Sequence, residues 1–340
     1  MKILLDAFGG DNSPLEVIKG AVEYIAEGGA CEVCLVGMED VINKIFEENG
    51  YSKKNISIMN ATEIITCHEA PTTAFKQKPD STITVGLKAL KTGEYDAFVS
   101  AGSTGALLTA GVLLTGRIKG VSRPALGTLL PTIKGNPTLF MDCGANADCK
   151  PQNLVHFALM ADIYMRRIGG VKNPRIGLLC NGTEDQKGNE LTHATFKALK
   201  QIKTINFAGN IEGRDILTGE YDVVVTDGFS GNVAVKSIEG AANAIIAILK
   251  ENIMSSFKAK MGFLLMKKAF KKTMKQMDYN SRSGAVFLGV NGTICKTHGS
   301  SKSPAFKATL FQAEQAIKED IREEIFEVLN REDIKSLTFD

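Results

Sequence analysis

The sequence predicts an α/β protein with a mostly parallel sheet that carries helices on both faces. Strand-like runs alternate with helical stretches through most of the 340 residues, which is typical of parallel sheets. Several of these runs are continuous in Val, Ile and Leu, as strands buried on both faces are. The stretch Thr-Gly-Glu-Tyr-Asp also occurs twice, at 92–96 and 218–222, and each copy leads into an apolar strand, a glycine turn and an apolar helix.

We treat residues 1–340 as a single α/β domain, since 44% apolar content is enough for a large core. Strands are predicted at 2–6, 32–36, 56–59, 97–100, 125–130, 138–142, 176–180, 204–208 and 223–226. Helices are predicted at 15–27, 39–48, 84–92, 153–168 and 190–201, with two more that begin at Leu107 and Val233.

The two glycine turns suit anion binding. Gly102 and Gly105 align with Gly228 and Gly231 without a gap. Each turn places backbone N–H groups and the positive end of a helix at one point above the sheet, which favours an anion. Either turn alone could instead be a plain tight connection. Together they predict a cleft that holds a phosphate and a second polar group.

Other predicted strands also end in polar turns. These turns occupy 7–14, 143–148, 181–190 and 209–215, and a turn at 288–301 carries Lys296, His298 and two serines. In such sheets ligands bind beyond the carboxyl ends of the strands. We therefore expect all of these turns to lie along one edge of the sheet.

Several kinds of chemistry do not fit the motifs. The stretch G-F-S-G at 228–231 lacks the spacing of a nucleophilic serine elbow, D-A-F-G-G-D at 6–11 is not a dinucleotide fingerprint, and no P-loop is present. Cys31 and Cys34 form the only C-x-x-C pair, which is half of a zinc site. We predict no metal, no cofactor and no nucleic-acid partner. What remains is a cleft that orients an oxyanion against an electrophile, so that the substrate supplies the nucleophile.

The cysteines and the N-terminus indicate a location. Seven scattered cysteines fit a reducing cytoplasm better than a disulfide framework. The start M-K-I-L-L-D is too briefly apolar for a signal peptide, and no apolar run approaches the ~20 residues that span a bilayer. We expect a cytoplasmic protein that is soluble or attached to a membrane surface.

A basic segment stands apart from the rest of the chain. Residues 252–277 contain seven lysines and no acidic residue, and two apolar stripes that are out of phase. A bend near Gly262 would reconcile the stripes, giving a helical hairpin at 243–278 whose tip is 261–266. Such a tip suits an anionic membrane surface, an acidic protein or a partner subunit, and the plain alternative is a packed helix pair with a solvated lysine face.

The motifs resemble the signature blocks of the phosphate acyltransferases of bacterial phospholipid synthesis. The matching blocks run from the N-terminus to about residue 315, and their order is preserved. They are D-A-F-G-G-D (6–11), V-S-A-G-S-T-G-A-L-L (99–108), G-R-I-K-G-V-S-R-P-A-L (116–126), D-C-G-A-N-A-D (142–148), K-G-N-E-L (187–191), F-A-G-N-I-E-G-R-D-I (207–216), D-V-V-V-T-D-G-F-S-G-N (222–232) and K-T-H-G-S-S (296–301).

The resemblance implies an activity. It implies reversible transfer of a long-chain acyl group from acyl carrier protein to inorganic phosphate, which gives acyl phosphate. It further implies a homodimer with peripheral membrane contact, and a fold similar to those of phosphotransacetylases and isopropylmalate dehydrogenases. A membrane-attached hairpin would suit a lipid-soluble product and an acidic carrier. With the resemblance we therefore predict membrane contact through Phe263, Leu264 and Leu265.

Site residues follow from the resemblance position by position. Lys187 and Asn232 are identified as catalytic: Lys187 could offset the charge of phosphate or of the departing thiolate, and Asn232 could donate to the carbonyl oxyanion. The alternatives are a solvated loop lysine and a helix N-cap. The substrate-binding residues would be Gly9, Gly10, Ser103, Thr104, Gly105, Asn146, Asp227, Gly228, Ser230 and His298, with Arg117 or Arg123 beside the phosphate if those side chains turn inward.

The chain also departs from the family pattern. Phe8 and Asn12 stand where methionine and histidine are more usual, and 281–284 differs from the usual Tyr-Gly-Gly, so cleft shape and acyl selectivity could differ. Three alternatives stay open: a phosphotransacetylase acting on a short-chain acyl-coenzyme A, a nicotinamide-dependent dehydrogenase, and a membrane-attached scaffold.

Overall fold

The computed structural model describes residues 1–66, 68–277 and 284–339. The strands are β1 (Lys2–Asp6), β2 (Glu32–Gly37), β3 (Ile56–Asn60), β4 (Ala97–Ser100), β5 (Ala125–Leu130), β6 (Thr138–Met141), β7 (Arg175–Leu179), β8 (Asn206–Ile211), β9 (Val223–Val225), β10 (Ala285–Leu288) and β11 (Thr293–Lys296). The α-helices are α1 (Leu15–Ala26), α2 (Glu39–Asn49), α3 (Pro71–Gln77), α4 (Thr82–Thr92), α5 (Thr104–Leu114), α6 (Pro151–Arg167), α7 (Glu190–Gln201), α8 (Gly228–Ser255), α9 (Phe257–Met277), α10 (Ser303–Glu319), α11 (Arg322–Leu329) and α12 (Glu332–Lys335).

The strands form one mixed, mostly parallel sheet, as the sequence predicts. Their order is β3-β2-β1-β4-β11-β10-β5-β6-β9-β7-β8. Only three pairings are antiparallel within the described part of the chain: β10 with β11, β10 with β5, and β5 with β6. Because β5 and β6 run in opposite directions, the half of the sheet that contains β1 and β4 points one way and the half that contains β7 and β9 points the other.

This reversal corrects one expectation. The turns after β1, β4 and β11 lie at one edge of the sheet, whereas those after β6, β7, β8 and β9 lie at the opposite edge. The prediction that all the polar turns share one edge is therefore wrong. Contacts between distant segments decide whether two strands pair parallel or antiparallel, and the composition of an apolar run does not indicate which.

Helices cover both faces of the sheet, and burial alternates along the strands accordingly. Ile3 and Leu5 of β1 belong to a core that includes residues of α1, α6 and α10. Leu4 points to the other face, into a core with α4 and α5. A smaller apolar cluster under the first turns of α8 contains Leu130 and Phe140. The face of the sheet to which Leu4 points is therefore covered by α3–α5 over one half of the sheet and by the start of α8 over the other half.

The hairpin of β10 and β11 was not predicted from the sequence. Each strand has four residues, and the predicted polar turn at 288–301 covers all of β11. Both strands lie inside the sheet, where β11 pairs with β4 and β10 with β5. Gly289 and Gly292 between the two strands give this segment the composition of a turn, so only the pairing partners identify the strands.

The long basic segment is helical, but its bounds differ from the predicted hairpin at 243–278. α8 already begins at Gly228, and the chain breaks at Ser256, where φ is −135° and ψ is 138°. Gly262 lies within α9, so the predicted bend at that glycine is wrong. Residues 278–283, including the departure at Ser281, lie outside the described residues.

α8 and α9 run outward and back from the sheet. With 28 residues, α8 extends about 40 Å. Yet β9 and β10, which flank the helical pair in sequence, are only three strand positions apart, about 14 Å. By length and composition α8 could also cross a bilayer. Lys236, Glu239 and Lys250 interrupt its apolar residues, so the sequence shows no continuous apolar run of about 20 residues there.

Candidate active site

Three turns converge at the carboxyl ends of β1, β4 and β11. The backbone N–H of Asp11 donates to the carbonyl of Gly299 at 2.7 Å, and the Asn12 amide donates to the carbonyl of Ser300 at 2.9 Å. Gly9 packs so closely on Gly102 that a Cβ atom would lie 2.7 Å from its nitrogen. The glycines at 9 and 10 thus let the first turn pack against the other two.

A buried carboxyl fixes the first two turns. Asp6 accepts hydrogen bonds from the hydroxyl of Ser100 at 2.7 Å and from the N–H of Phe8 at 3.1 Å. Ser100 in turn accepts from the N–H of Gly102 at 2.9 Å. Burial raises the pKa of Asp6 although these donors act to lower it. Asp6 therefore positions the turns.

A second buried carboxyl organises the loop after β6. Asp142 accepts five hydrogen bonds of 2.8–3.1 Å, from the N–H groups of Leu126, Gly144, Ala145 and Asn146 and from the Asn146 side chain. Burial raises the pKa of Asp142 despite these donors. The loop at 142–146 is thereby held as a rigid support.

The first turn of α8 rests on that support. Asp227 caps the helix by accepting from the N–H of Ser230 at 2.8 Å. The N–H of Gly228 donates to the carbonyl of Asn146 at 2.8 Å, and a Cβ at Gly231 would lie 1.9 Å from the carbonyl oxygen of Asp142. The glycines of the second turn therefore permit a close approach of two backbones. This packing fixes where Asn232 emerges.

A groove of about 350 Å³ opens between the start of α5 and the first turns of α8. Its floor is β5, which contributes Leu126, Thr128 and Leu130. The remaining polar lining comes from Gly102, Thr104, Gly144, Asn232, Lys236, Glu239, Gly284, Lys296, Thr297, His298, Gly299 and Ser301. The remaining apolar lining comes from Ala101, Cys143, Val235, Ala285 and Ala305. Residues of both repeated glycine-turn segments thus reach one cavity across the face of the sheet, although the turns lie at opposite edges.

Some predicted site residues line this groove. Thr104 is at the N-terminus of α5, Asn232 is half-buried on α8, and His298 is exposed on the turn after β11. The Nδ1 atom of His298 lies 2.9 Å from the hydroxyl of Ser300. Gly9 and Gly10 lie behind the groove, where they pack against Gly102 and Gly299.

Other predicted residues act as supports. Ser103 caps α5 by accepting from the N–H of Ala106 at 3.4 Å, and a Cβ at Gly105 would lie 2.7 Å from Pro71 of α3. Both amide hydrogens of Asn146 are engaged, with the carbonyl of Pro124 and with Asp142, each at 2.8 Å. Asp227, Gly228 and Ser230 form the N-terminus of α8.

The cationic side chains predicted near the phosphate lie elsewhere. Arg117 is exposed and donates to the carbonyl of Ser122 at 2.5 Å, and Arg123 is exposed as well. Lys187 is exposed on the loop after β7 and is not among the groove-lining residues of the described chain. Two hydrogen bonds to the carbonyl of Glu184 hold that loop in place. The carbonyl accepts from the N–H of Lys187 at 3.0 Å and from the Asn210 amide at 2.9 Å.

The sequence analysis missed several groove residues. Lys236 follows Asn232 by four residues on a helix, so helical spacing could have placed both on one face. Thr297 and Ser301 flank the predicted His298, but no local signal shows that they are buried. Cys143 also lines the groove, where burial raises the pKa of its thiol, so that it stays protonated and is a poor nucleophile.

The membrane-contact prediction falls on α9, where two of the three residues are exposed. Leu264 is exposed, and Leu265 is 89% exposed. Phe263 is half-buried and packs edge-on against Phe270, with ring centroids 5.4 Å apart. Phe257, directly after the break between α8 and α9, is 78% exposed.

The fold is shared with phosphotransacetylases. The phosphotransacetylase of Streptococcus pyogenes superimposes with a TM-score of 0.62 at 18% identity, and 94% of each chain is covered. A similarity at this level of identity shows the fold alone. It confirms the predicted phosphotransacetylase-like architecture.

Relatives with higher sequence identity identify the family of this chain. The model of the family described as "Fatty acid synthesis protein" matches residues 1–324. A phosphate acyltransferase of Clostridium novyi is 48% identical over 313 residues, 92% of this chain and 94% of that relative. A phosphate acyltransferase of Dictyoglomus turgidum is 45% identical over 331 residues, 97% of this chain and 98% of that relative. The chain therefore belongs to the phosphate acyltransferase family, and it is an acyltransferase enzyme of fatty acid and phospholipid synthesis.

Proposed function

We propose that this enzyme transfers a long-chain fatty acyl group from acyl carrier protein to inorganic phosphate, giving acyl phosphate for phosphatidic acid synthesis. The observation that carries the proposal is the mixed lining of the groove. Hydroxyl, amide and cationic side chains line it together with the apolar side chains of Leu126, Leu130 and Val235. The groove thus offers contacts both to an anion and to an alkyl chain.

The chemistry needs no nucleophile from the protein. An oxygen of hydrogen phosphate attacks the thioester carbon, the C–S bond breaks, and the proton of the phosphate passes to the departing thiolate. The products are acyl phosphate and the free thiol of the carrier. Holding the two substrates in line converts a bimolecular reaction into an effectively unimolecular one, which lowers the entropic part of the barrier.

Asn232 is the proposed donor to the oxyanion. Its amide lies in the groove, and Gly144 lies close beside it, since a Cβ there would come within 2.7 Å of the Asn232 Nδ2 atom. A fixed donor of this kind stabilises the tetrahedral intermediate by about 3–4 kcal/mol in the best cases. Its orientation before substrate binds avoids reorganisation during the reaction.

Lys187 is proposed to offset charge on the phosphate or on the leaving thiolate. The proposal rests on the family resemblance. The position of Lys187 means that its ammonium group has to be brought closer to the substrates for this role. The lysine stands on an exposed loop outside the groove, so carrier binding, loop movement or a second subunit has to bring its ammonium group to the thioester.

We also propose a homodimer with peripheral membrane contact. α8 leaves Ile245, Ile248 and Leu249 exposed, an apolar surface that a second copy could cover. α9 presents Leu264 and Leu265 beside its lysines, which suits an anionic bilayer surface. The same lysines could attract an acidic carrier protein.

The test compares donors. Purified protein is mixed with phosphate and either palmitoyl carrier protein or acetyl-coenzyme A, and acyl phosphate is measured by mass spectrometry. We expect palmitoyl phosphate at a much higher rate than acetyl phosphate. The reverse preference would indicate a short-chain phosphotransacetylase, and no acyl phosphate from either donor would leave a scaffold as the role.

A further inference from the structure

Two hydroxyl groups beside the groove have no hydrogen-bond partner within the described residues. They are Oγ1 of Thr297 and Oγ of Ser301. Thr297 is 2% exposed and Ser301 is 5% exposed, so bulk water does not satisfy them either. Both residues line the groove. A buried hydroxyl without a partner is costly, and a bound substrate group is one way to offset that cost.

The backbone around them is held firmly. The N–H of Thr297 donates to the carbonyl of Ser100 at 3.0 Å, and the N–H of Ser301 donates to the carbonyl of His298 at 3.0 Å. The Asn12 amide also donates to the carbonyl of Ser301 at 3.2 Å. Only the side-chain hydroxyls are therefore left to turn. Rotation about the Cα–Cβ bond changes the direction of each hydroxyl without moving this backbone.

The surroundings favour an anion there. The N-terminus of α5, an 11-residue helix, reaches the groove at Gly102 and Thr104. Lys296 ends β11, His298 lies on the turn that carries the two hydroxyls, and Lys236 lines the same groove from α8. The groove contains one carboxylate among its described lining, Glu239, one helical turn beyond Lys236.

We infer that Thr297 and Ser301, together with the N-terminus of α5, bind the inorganic phosphate through hydroxyl hydrogen bonds. The inference deepens the proposed function and rests on it. In this arrangement phosphate lies at the β4–β11 end of the groove, and the apolar side chains of Leu126, Leu130 and Val235 are left to contact the acyl chain. The thioester carbon then lies between the two, within reach of the Asn232 amide.

The test substitutes each hydroxyl and measures phosphate and acyl carrier separately. For Thr297→Val and Ser301→Ala we expect the KM for phosphate to rise about 10-fold to 100-fold, the range for a lost hydrogen bond to a charged group. The KM for acyl carrier protein should stay within about twofold. The increase in Tm that phosphate gives to the wild type should shrink in both variants, which is a readout independent of turnover.

A matched control separates this role from packing. Thr195 is fully buried on α7, and its hydroxyl donates to the carbonyl of Leu191 at 2.7 Å. Thr195→Val should lower the Tm without changing the KM for phosphate. Thr297→Val should not lower the Tm in phosphate-free buffer, since it removes a hydroxyl that has no partner.

The outcomes distinguish the two proposals. Unchanged KM for phosphate and an unchanged phosphate-induced Tm shift in both variants would overturn the inference while the acyl-transfer function stands. If the wild type makes no acyl phosphate but phosphate still raises its Tm in a manner that depends on Thr297 and Ser301, the site stands and the proposed reaction fails.

Discussion

The Asn232 amide lies directly against Gly144. A Cβ atom at position 144 would come within 2.7 Å of the Nδ2 atom of Asn232, and Gly144 has a φ of +132°, which side chains rarely adopt. The N–H of Gly144 donates to the Asp142 carboxylate at 3.1 Å. The loop at 142–146 therefore helps to set the position of the proposed oxyanion donor.

This contact predicts the effect of Gly144→Ala. The added methyl group pushes the Asn232 amide away and strains the backbone, so kcat should fall about 100-fold, close to the loss in Asn232→Ala. The measurement is steady-state acyl phosphate formation. Gly240→Ala is the control, because a Cβ there meets nothing within 4 Å and alanine favours the exposed helix. Wild-type kcat in Gly144→Ala would show that this contact does not position the amide.

Lys187 gives a second prediction. Lys187→Ala should lower kcat by about 100-fold or more if its charge offsets the thiolate or phosphate. Lys172→Ala removes another exposed lysine and should leave kcat unchanged. Circular dichroism checks that both variants fold. A folded Lys187→Ala protein with full turnover would remove the lysine from the mechanism.

The buried imidazole of His156 predicts a pH dependence of stability. Burial lowers the pKa of His156 from its ordinary 6.5 to about 4, and its Nδ1 atom accepts from the N–H of Ser122 at 3.2 Å. The unfolded chain takes up a proton below about pH 6.5, which the folded chain resists until about pH 4. The free energy of unfolding should therefore fall by about 3 kcal/mol across this interval.

His156→Gln isolates this effect, because glutamine can accept the same hydrogen bond but cannot be protonated. Chemical denaturation at several pH values should show the wild-type advantage over the variant shrinking by about 3 kcal/mol as the pH falls from 6.5 to 4. A constant difference across that range would mean that the histidine is charged in the folded protein.

The exposed leucines of α9 give a prediction for membrane binding. Leu264→Ser with Leu265→Ser should weaken cosedimentation with anionic vesicles at least about tenfold, because the apolar area available for insertion is lost. Phe263 is left in place because it packs on Phe270. Ile133→Ser, at a residue 73% exposed between β5 and β6, is the matched control. Unchanged vesicle binding in the double variant would show that α9 is not the anchor.

Local signals in the sequence were enough to predict the positions of most strands. β1, β4 and β5 have the predicted bounds, because β1 and β4 are apolar runs that end in a polar residue and β5 lies between Pro124 and Pro131. β10 and β11 were not predicted because a four-residue strand beside Gly289 and Gly292 has the composition of a turn. Their identity depends on pairing with β5 and β4, more than 150 residues away in each case.

The candidate site was predictable in part for the same reason. Thr104, Asn232 and His298 belong to motifs whose residue types indicate polar binding, and all three line the groove. The burial of Thr297 and Ser301 depends on how the turn after β11 packs against the turns after β1 and β4. The inference drawn from the two out-of-phase apolar stripes was wrong, because α9 carries residues of both stripes without a bend at Gly262 and the break lies earlier, at Ser256.

The most direct test of the account asks whether the protein itself ever carries the acyl group. Enzyme is mixed with palmitoyl carrier protein and quenched at short times, with and without phosphate, and intact masses and released thiol are measured. We predict no acylated enzyme in either case, and thiol release only with phosphate, in equal amount to acyl phosphate. Acylated enzyme that accumulates without phosphate would contradict direct attack by phosphate in the groove.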